Sequence, residues 1–129
     1  MDVHGSMNNE VYVLMLRDSF VLKDLEDTVR DYAPGAVVLT ASEWDEALAL
    51  IEGLDRLSIA FVEAGAEAVA AAQIDARVAA MGGRIVLLGD EAEDEWEADS
   101  QASRWPVLLR PFSTQTVERL LAELMGRPA

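Results

Sequence analysis

Four short apolar runs in this chain end beside residues that could do chemistry. Arg17 and Asp18 follow the run 11–16, Glu63 follows 57–62, Gly89 and Asp90 follow 85–88, and Arg110 follows 107–109. A carboxylate in such a place can hold a cation, relay a proton or accept a group, and when ionised it only accepts hydrogen bonds. A guanidinium offers the opposite, a planar fork of donors matched to a carboxylate or a phosphate. The rest of the inventory is narrow. The chain has no cysteine and a single histidine, His4, so neither thiol chemistry nor a Ser-His-Asp arrangement can be assembled. His4 has no companion ligands for a metal. Gly82 and Gly83 precede a strand-like run rather than a helix, the wrong context for a dinucleotide phosphate loop.

Alternating elements must place those residues. Residues 11–16 read as a first strand buried on both faces, and 36–40, 57–62, 85–88 and 107–109 as the second to fifth. Between them the apolar spacing turns helical. Ser19 is a candidate cap for a helix with Val21, Leu25, Val29 and Tyr32 on one stripe, stopped by Pro34 and Gly35. Ser42 with Asp45 resembles a capping box ahead of the stripe Trp44, Ala47, Leu48 and Ile51. That stripe assigns Trp44 to the core. One alanine-rich helix is expected over 66–81, ended by Gly82 and Gly83, and a last helix follows Ser113 with Val117, Leu120, Leu121, Leu124 and Met125 inward.

Five strands alternating with helices predict an α/β fold, a doubly wound five-stranded parallel sheet with helices on both faces. Right-handed crossovers favour the flavodoxin-like strand order 2-1-3-4-5, in which ligands and reactive groups gather at the carboxyl ends of the strands. Arg17, Asp18, Glu63, Gly89, Asp90 and Arg110 all fall at those ends.

The segment 107–116 runs a short buried-type strand into Arg110, Pro111 and Phe112, and then into a helix start. It resembles the last strand of two-component receiver domains, the CheY-like modules of response regulators, which ends in Lys-Pro-Phe or Lys-Pro-Ala. The likeness extends over residues 10–126. On that resemblance Glu63 stands where the family has its phosphorylatable Asp, and Arg17 with Asp18 where it has two acids that hold magnesium. Gly89 matches the switch Ser or Thr, Val107 the aromatic switch residue (with Trp105 two positions earlier), and Arg110 the lysine before a cis-type proline. The family's Met-Pro after the acceptor is replaced by Ala64-Gly65-Ala66-Glu67.

These departures imply an altered chemistry. A guanidinium among the magnesium ligands opposes the metal. A glutamate holds negative charge near the phosphoryl position but lacks the phosphate's charge of about −1.5 to −2 and its three oxygens. Gly89 has no hydroxyl to follow a phosphate. The resemblance therefore implies an atypical receiver, a pseudo-receiver, in signal transduction: no enzyme, no metal, no cofactor, and action through a protein partner without Asp phosphorylation. A standing Glu63–Arg110 ion pair is expected to replace the phosphate–lysine contact. Two other readings stay open, a degenerate phosphorelay receiver that accepts phosphate on Asp18 or Asp90, and a flavin-type enzyme of the same fold.

Composition narrows the partners. A chain of 129 residues makes one domain, here 10–129, behind a disordered or tag-derived stretch 1–9 in which Gly5-Ser6-Met7 reads as a vector scar. The formal charge is −14, from 24 acids against 10 bases, which repels nucleic-acid backbones and anionic membranes and leaves a protein with a basic surface. Residues 90–99 hold seven of those acids and no base, and are expected as a solvated loop or frayed helix. Trp96 within them and Trp105 beyond are candidate partner anchors, since tryptophan often dominates interface energy. In receivers the fourth helix and fifth strand, where this segment would lie, form the output face, so residues 90–110 with the last helix are the expected contact surface, and the resemblance also admits homodimerisation there. No apolar run approaches the roughly 18 residues of a membrane span. The missing cysteines fit a reducing compartment, and a cytoplasmic location is expected.

Overall fold

The computed structural model describes residues 10–99 and 104–126. The stretch 1–9, expected to be disordered or tag-derived, lies outside the described residues. The first strand, β1 (Val11–Met15), is buried at every position, as a strand covered on both faces must be. It lies between β2 (Val37–Ala41) and β3 (Ile59–Glu63), with Val13 opposite Leu39 on one side and Ala60 on the other. β4 (Arg84–Leu88) and β5 (Val107–Leu108) complete a parallel sheet of order β2-β1-β3-β4-β5, the predicted order.

Side chains alternate across the sheet with period two. Val11, Val13 and Met15 face one core cluster with Ala60, Val62, Ile85 and Leu87. Tyr12, Leu14 and Leu16 face the other with Ile59, Phe61, Val86 and Leu88. Helices α1 (Ser19–Tyr32) and α6 (Thr114–Met125) cover the second cluster through Leu25, Val29, Val117 and Leu121. Helices α2 (Trp44–Glu52), α3 (Ala66–Ala71), α4 (Ile74–Ala80) and α5 (Asp90–Ala98) cover the first. Trp44 packs against that cluster, as its stripe predicts.

Three local expectations are corrected. Asp18, not Ser19, caps α1: its Oδ1 accepts the N–H groups of Phe20 at 2.9 Å and Val21 at 3.2 Å. Ser42 and Asp45 form no capping box, because Glu43 is the N-cap and its side chain makes no capping bond. Instead the Glu46 carboxylate reaches back to accept the Ser42 N–H at 3.0 Å.

The helix expected over 66–81 is broken at Gln73, which has φ +60°. The cause is in the apolar spacing. Val69 and Ile74 are five residues apart and would point about 140° away from each other on one continuous helix. The break returns Ile74 and Val78 to the cluster that Val69 already faces.

Of the loop or frayed helix expected for the acidic stretch, it is a helix that forms, α5. Asp90, Glu91 and Glu93 occupy its first turn, where the helix dipole favours negative charge, and Ala92 is fully buried on the sheet.

Candidate functional site

Glu63 is the last residue of β3 and sits beside Leu88 in the β4 register. Its Oε1 accepts the backbone N–H of Arg17 at 2.7 Å, and the Arg17 guanidinium approaches the same oxygen at 3.9 Å. The aliphatic part of the side chain lies over Gly89. A Cβ built on Gly89 would stand 2.7 Å from Glu63 Cγ, and Gly89 holds φ +99°, a region that favours glycine. Glu63 thus bridges the ends of β1 and β4 and fills the space where a side chain at position 89 would be. What remains open is a cavity of about 160 Å³ lined by Arg17, Glu63, Ala64, Leu88, Asp90 and Glu91.

The carboxylates of this edge do not fit magnesium. Asp18 is turned onto the start of α1, with one oxygen accepting two backbone N–H groups, and the residue before it is a cation, Arg17, in place of a second acid. A hard dication needs converging oxygens and negative charge. Among the described residues, no three carboxylate or imidazole side chains gather for a metal.

Arg110 does not reach Glu63, so the predicted ion pair is not formed. Its Nε donates to Glu93 Oε2 at 2.8 Å and its second terminal nitrogen to Glu93 Oε1 at 2.9 Å, a bidentate fork, while Asp90 takes a further bond from that nitrogen. The backbone N–H of Arg110 also donates to Glu93, at 3.1 Å. The first turn of α5 sets two carboxylates within reach of the guanidinium, and Glu63 already has its own donor, the Arg17 N–H. Hydrogen bonds from Arg110 hold the Glu93 carboxyl below the usual carboxylate range, and the two acids push the guanidinium further up. The Arg110–Pro111 peptide bond is cis.

The other predicted positions are spread along the same side. Val107 is half-buried against the first core cluster and pairs with Leu87, and Trp105 packs at the edge of that cluster with the Arg104 guanidinium 4.8 Å from its ring centre. Trp96 is half-buried, one helical turn beyond the buried Ala92. The structure therefore brings Arg17, Glu63, Gly89 and Asp90 together and leaves Arg110 joined to them only through Asp90.

Two residues that matter here escaped the sequence reading. Glu93 binds Arg110, and Glu95 crosses from α5 to accept the Ala66 N–H at 2.8 Å, capping α3 where Gly65 offers no side chain. Both lay within an acidic block whose members looked equivalent. Glu93 alone carried a signal, as an acid one turn after Asp90 on a helix beginning at a strand end.

This fold is shared with the chemotaxis response regulator CheY4 of Vibrio cholerae. One structure of that protein matches with a TM-score of 0.67 and 19% identity, covering 90% of this chain and 98% of the other. A second, crystallized at pH 4.0, matches with a TM-score of 0.66 and 18% identity over the same shares. The receiver resemblance read from residues 107–116 is borne out as a CheY-like fold. No family model and no curated protein matches the chain.

Proposed function

We propose that this domain is a receiver-fold interaction module of signal transduction that works without Asp phosphorylation, as a cytoplasmic protein that binds a protein partner. The observation that carries the reading is the placement of Glu63. Its carboxylate already accepts the Arg17 N–H, and its methylenes occupy the space over Gly89, so the end of β3 is engaged by the protein's own groups. Asp18 is engaged as a helix cap and Arg110 as the partner of Glu93 and Asp90, which leaves neither set to hold a metal-bound phosphoryl group.

The test is intact mass after incubation with acetyl phosphate, together with thermal unfolding with and without Mg²⁺ and beryllofluoride. A ligand at about 100 times its Kd stabilises a folded protein by about 2.7 kcal/mol, a shift easily read in such a scan. The expected result is no mass gain and no change in the melting temperature. A phosphorylated peptide containing Asp18 or Asp90 would instead establish a working phosphorelay receiver.

A further inference from the structure

A groove of about 560 Å³ runs between α1 and the start of α6, and neither Glu63 nor Arg17 lines it. Its floor is apolar, formed by Val21 on α1, Pro111 and Phe112 ahead of α6, and the buried Val117. One wall carries charge of a single sign. Asp24, Asp27 and Asp31 recur at i, i+3 and i+7, which sets them along one side of α1. Within the described residues Lys23 is the cation that pairs with this row, on Asp27 at 3.0 Å.

Thr28 lies in the same wall at 8% exposure, and its hydroxyl proton is given to the Asp24 carbonyl at 3.0 Å. The hydroxyl is thereby left an acceptor. Arg110 closes one end of the groove, but its guanidinium is bound to two carboxylates, Glu93 and Asp90, and brings no net positive charge. Phe20, exposed to 84%, stands one residue before Val21 and adds apolar surface at the same end of α1.

We propose that this groove docks a segment of a partner protein in which lysine or arginine side chains flank apolar ones. The chemistry commits it to that occupant. An apolar floor takes Leu-type side chains out of water, and a wall of acceptors wants donors with positive charge, which set on-rate and specificity. A second copy of this chain is a poor complement, since it would bring a net charge of −14 to an acidic wall. The inference rests on the reading of the domain as a partner-binding module and names the partner's chemistry.

The experiment titrates the ¹⁵N-labelled full chain with three capped synthetic peptides of equal length. One is an amphipathic Leu/Lys peptide, one has Glu in place of Lys, and one has Ser in place of Leu. Only the Leu/Lys peptide is expected to shift the amides of Val21, Asp24, Asp31, Phe112 and Val117 saturably, with weaker binding as salt is added. The double variant D24N/D31N, both exposed sites, is expected to weaken it by about 2- to 10-fold. D94N/E97Q, on the exposed side of α5, should leave it unchanged.

Unmoved groove amides, shifts centred on α5, equal binding of the Ser peptide, or full affinity of D24N/D31N would each overturn the proposal. Groove shifts that follow dilution of the protein alone would make a second copy the occupant and overturn it too. The two readings fail separately. Stabilisation by beryllofluoride sinks phosphorylation independence and leaves this titration standing, while silent groove amides do the reverse.

Discussion

The carboxyl edge of the sheet and the groove beside α1 lie next to each other, with Arg110 at the border, yet they are built on opposite lines. At the edge the residues in the family's site positions already have partners within the chain: Glu63 with Arg17, Asp18 with the first turn of α1, Arg110 with Glu93 and Asp90. In the groove, acids stand over an apolar floor and, among the described residues, only Asp27 is paired, with Lys23. A site whose donors and acceptors satisfy one another gains little from a ligand, because every new contact must first break an old one. A groove with unmatched acceptors and exposed apolar surface has something to gain. In this molecule the place where the fold family keeps its chemistry is self-satisfied, and the place to look for recognition is beside it.

The largest expected effect tests how tightly the edge is closed. Gly89→Ala places a Cβ against Glu63 Cγ and forces a non-glycine residue into φ +99°. Backbone strain and overpacking together should cost about 2–4 kcal/mol. Urea unfolding reads this directly, and the variant E63A/G89A should recover the overpacking share while keeping the strain. A loss of stability that is the same with and without Glu63 would break the idea that the two residues share one space. In the groove, D24N/D31N should change stability by no more than about 0.5 kcal/mol, as exposed substitutions do.

Much of the edge was legible from residue order, because strands buried on both faces read as unbroken apolar runs and their ends are easy to locate. Glu63, Gly89 and Arg110 were found that way. The partners of those residues were not. Arg110 and Glu93 are joined across 17 residues by the way α5 starts, and nothing local distinguishes Glu93 from Glu63 as a partner.

The cap of α1 was misplaced by one residue because Asp18 and Ser19 are both good caps and only backbone geometry chooses between them. The groove was invisible for a different reason. Val21 and Val117 are separated by most of the chain and read as ordinary core positions. Only the packing of α1 beside α6 makes them a floor.

A middle-sized effect sharpens the assignment of Asp18. As a helix cap it needs an oxygen acceptor and not a charge, so Asp18→Asn should leave stability within a few tenths of a kcal/mol while Asp18→Ala costs about 1 kcal/mol. Denaturation midpoints of the three proteins decide it. If Asn is as damaging as Ala, the charge itself matters, and the carboxylate does more at the edge than hold the first turn of α1.

A smaller effect than that of the cap concerns the border between the two regions and is read through pH. The Arg110 hydrogen bonds lower the Glu93 pKa in the folded protein from its ordinary value of 4.5. A depressed folded pKa means that the unfolded chain takes up the proton first. The pair's contribution is therefore complete above about pH 4.5 and fades as the pH falls through the lower folded value. Arg110→Gln removes that contribution, so wild type should exceed the variant most near neutrality and least in acid. The guanidinium is 44% exposed, so the difference should be tenths of a kcal/mol up to about 1. Relief of repulsion among the many other acids occurs in both proteins and cancels in the subtraction. A gap between the two proteins that stays constant from neutral pH into acid would show that Arg110 holds α5 by shape rather than by charge. The border would then belong with the apolar floor of the groove instead of with the closed edge.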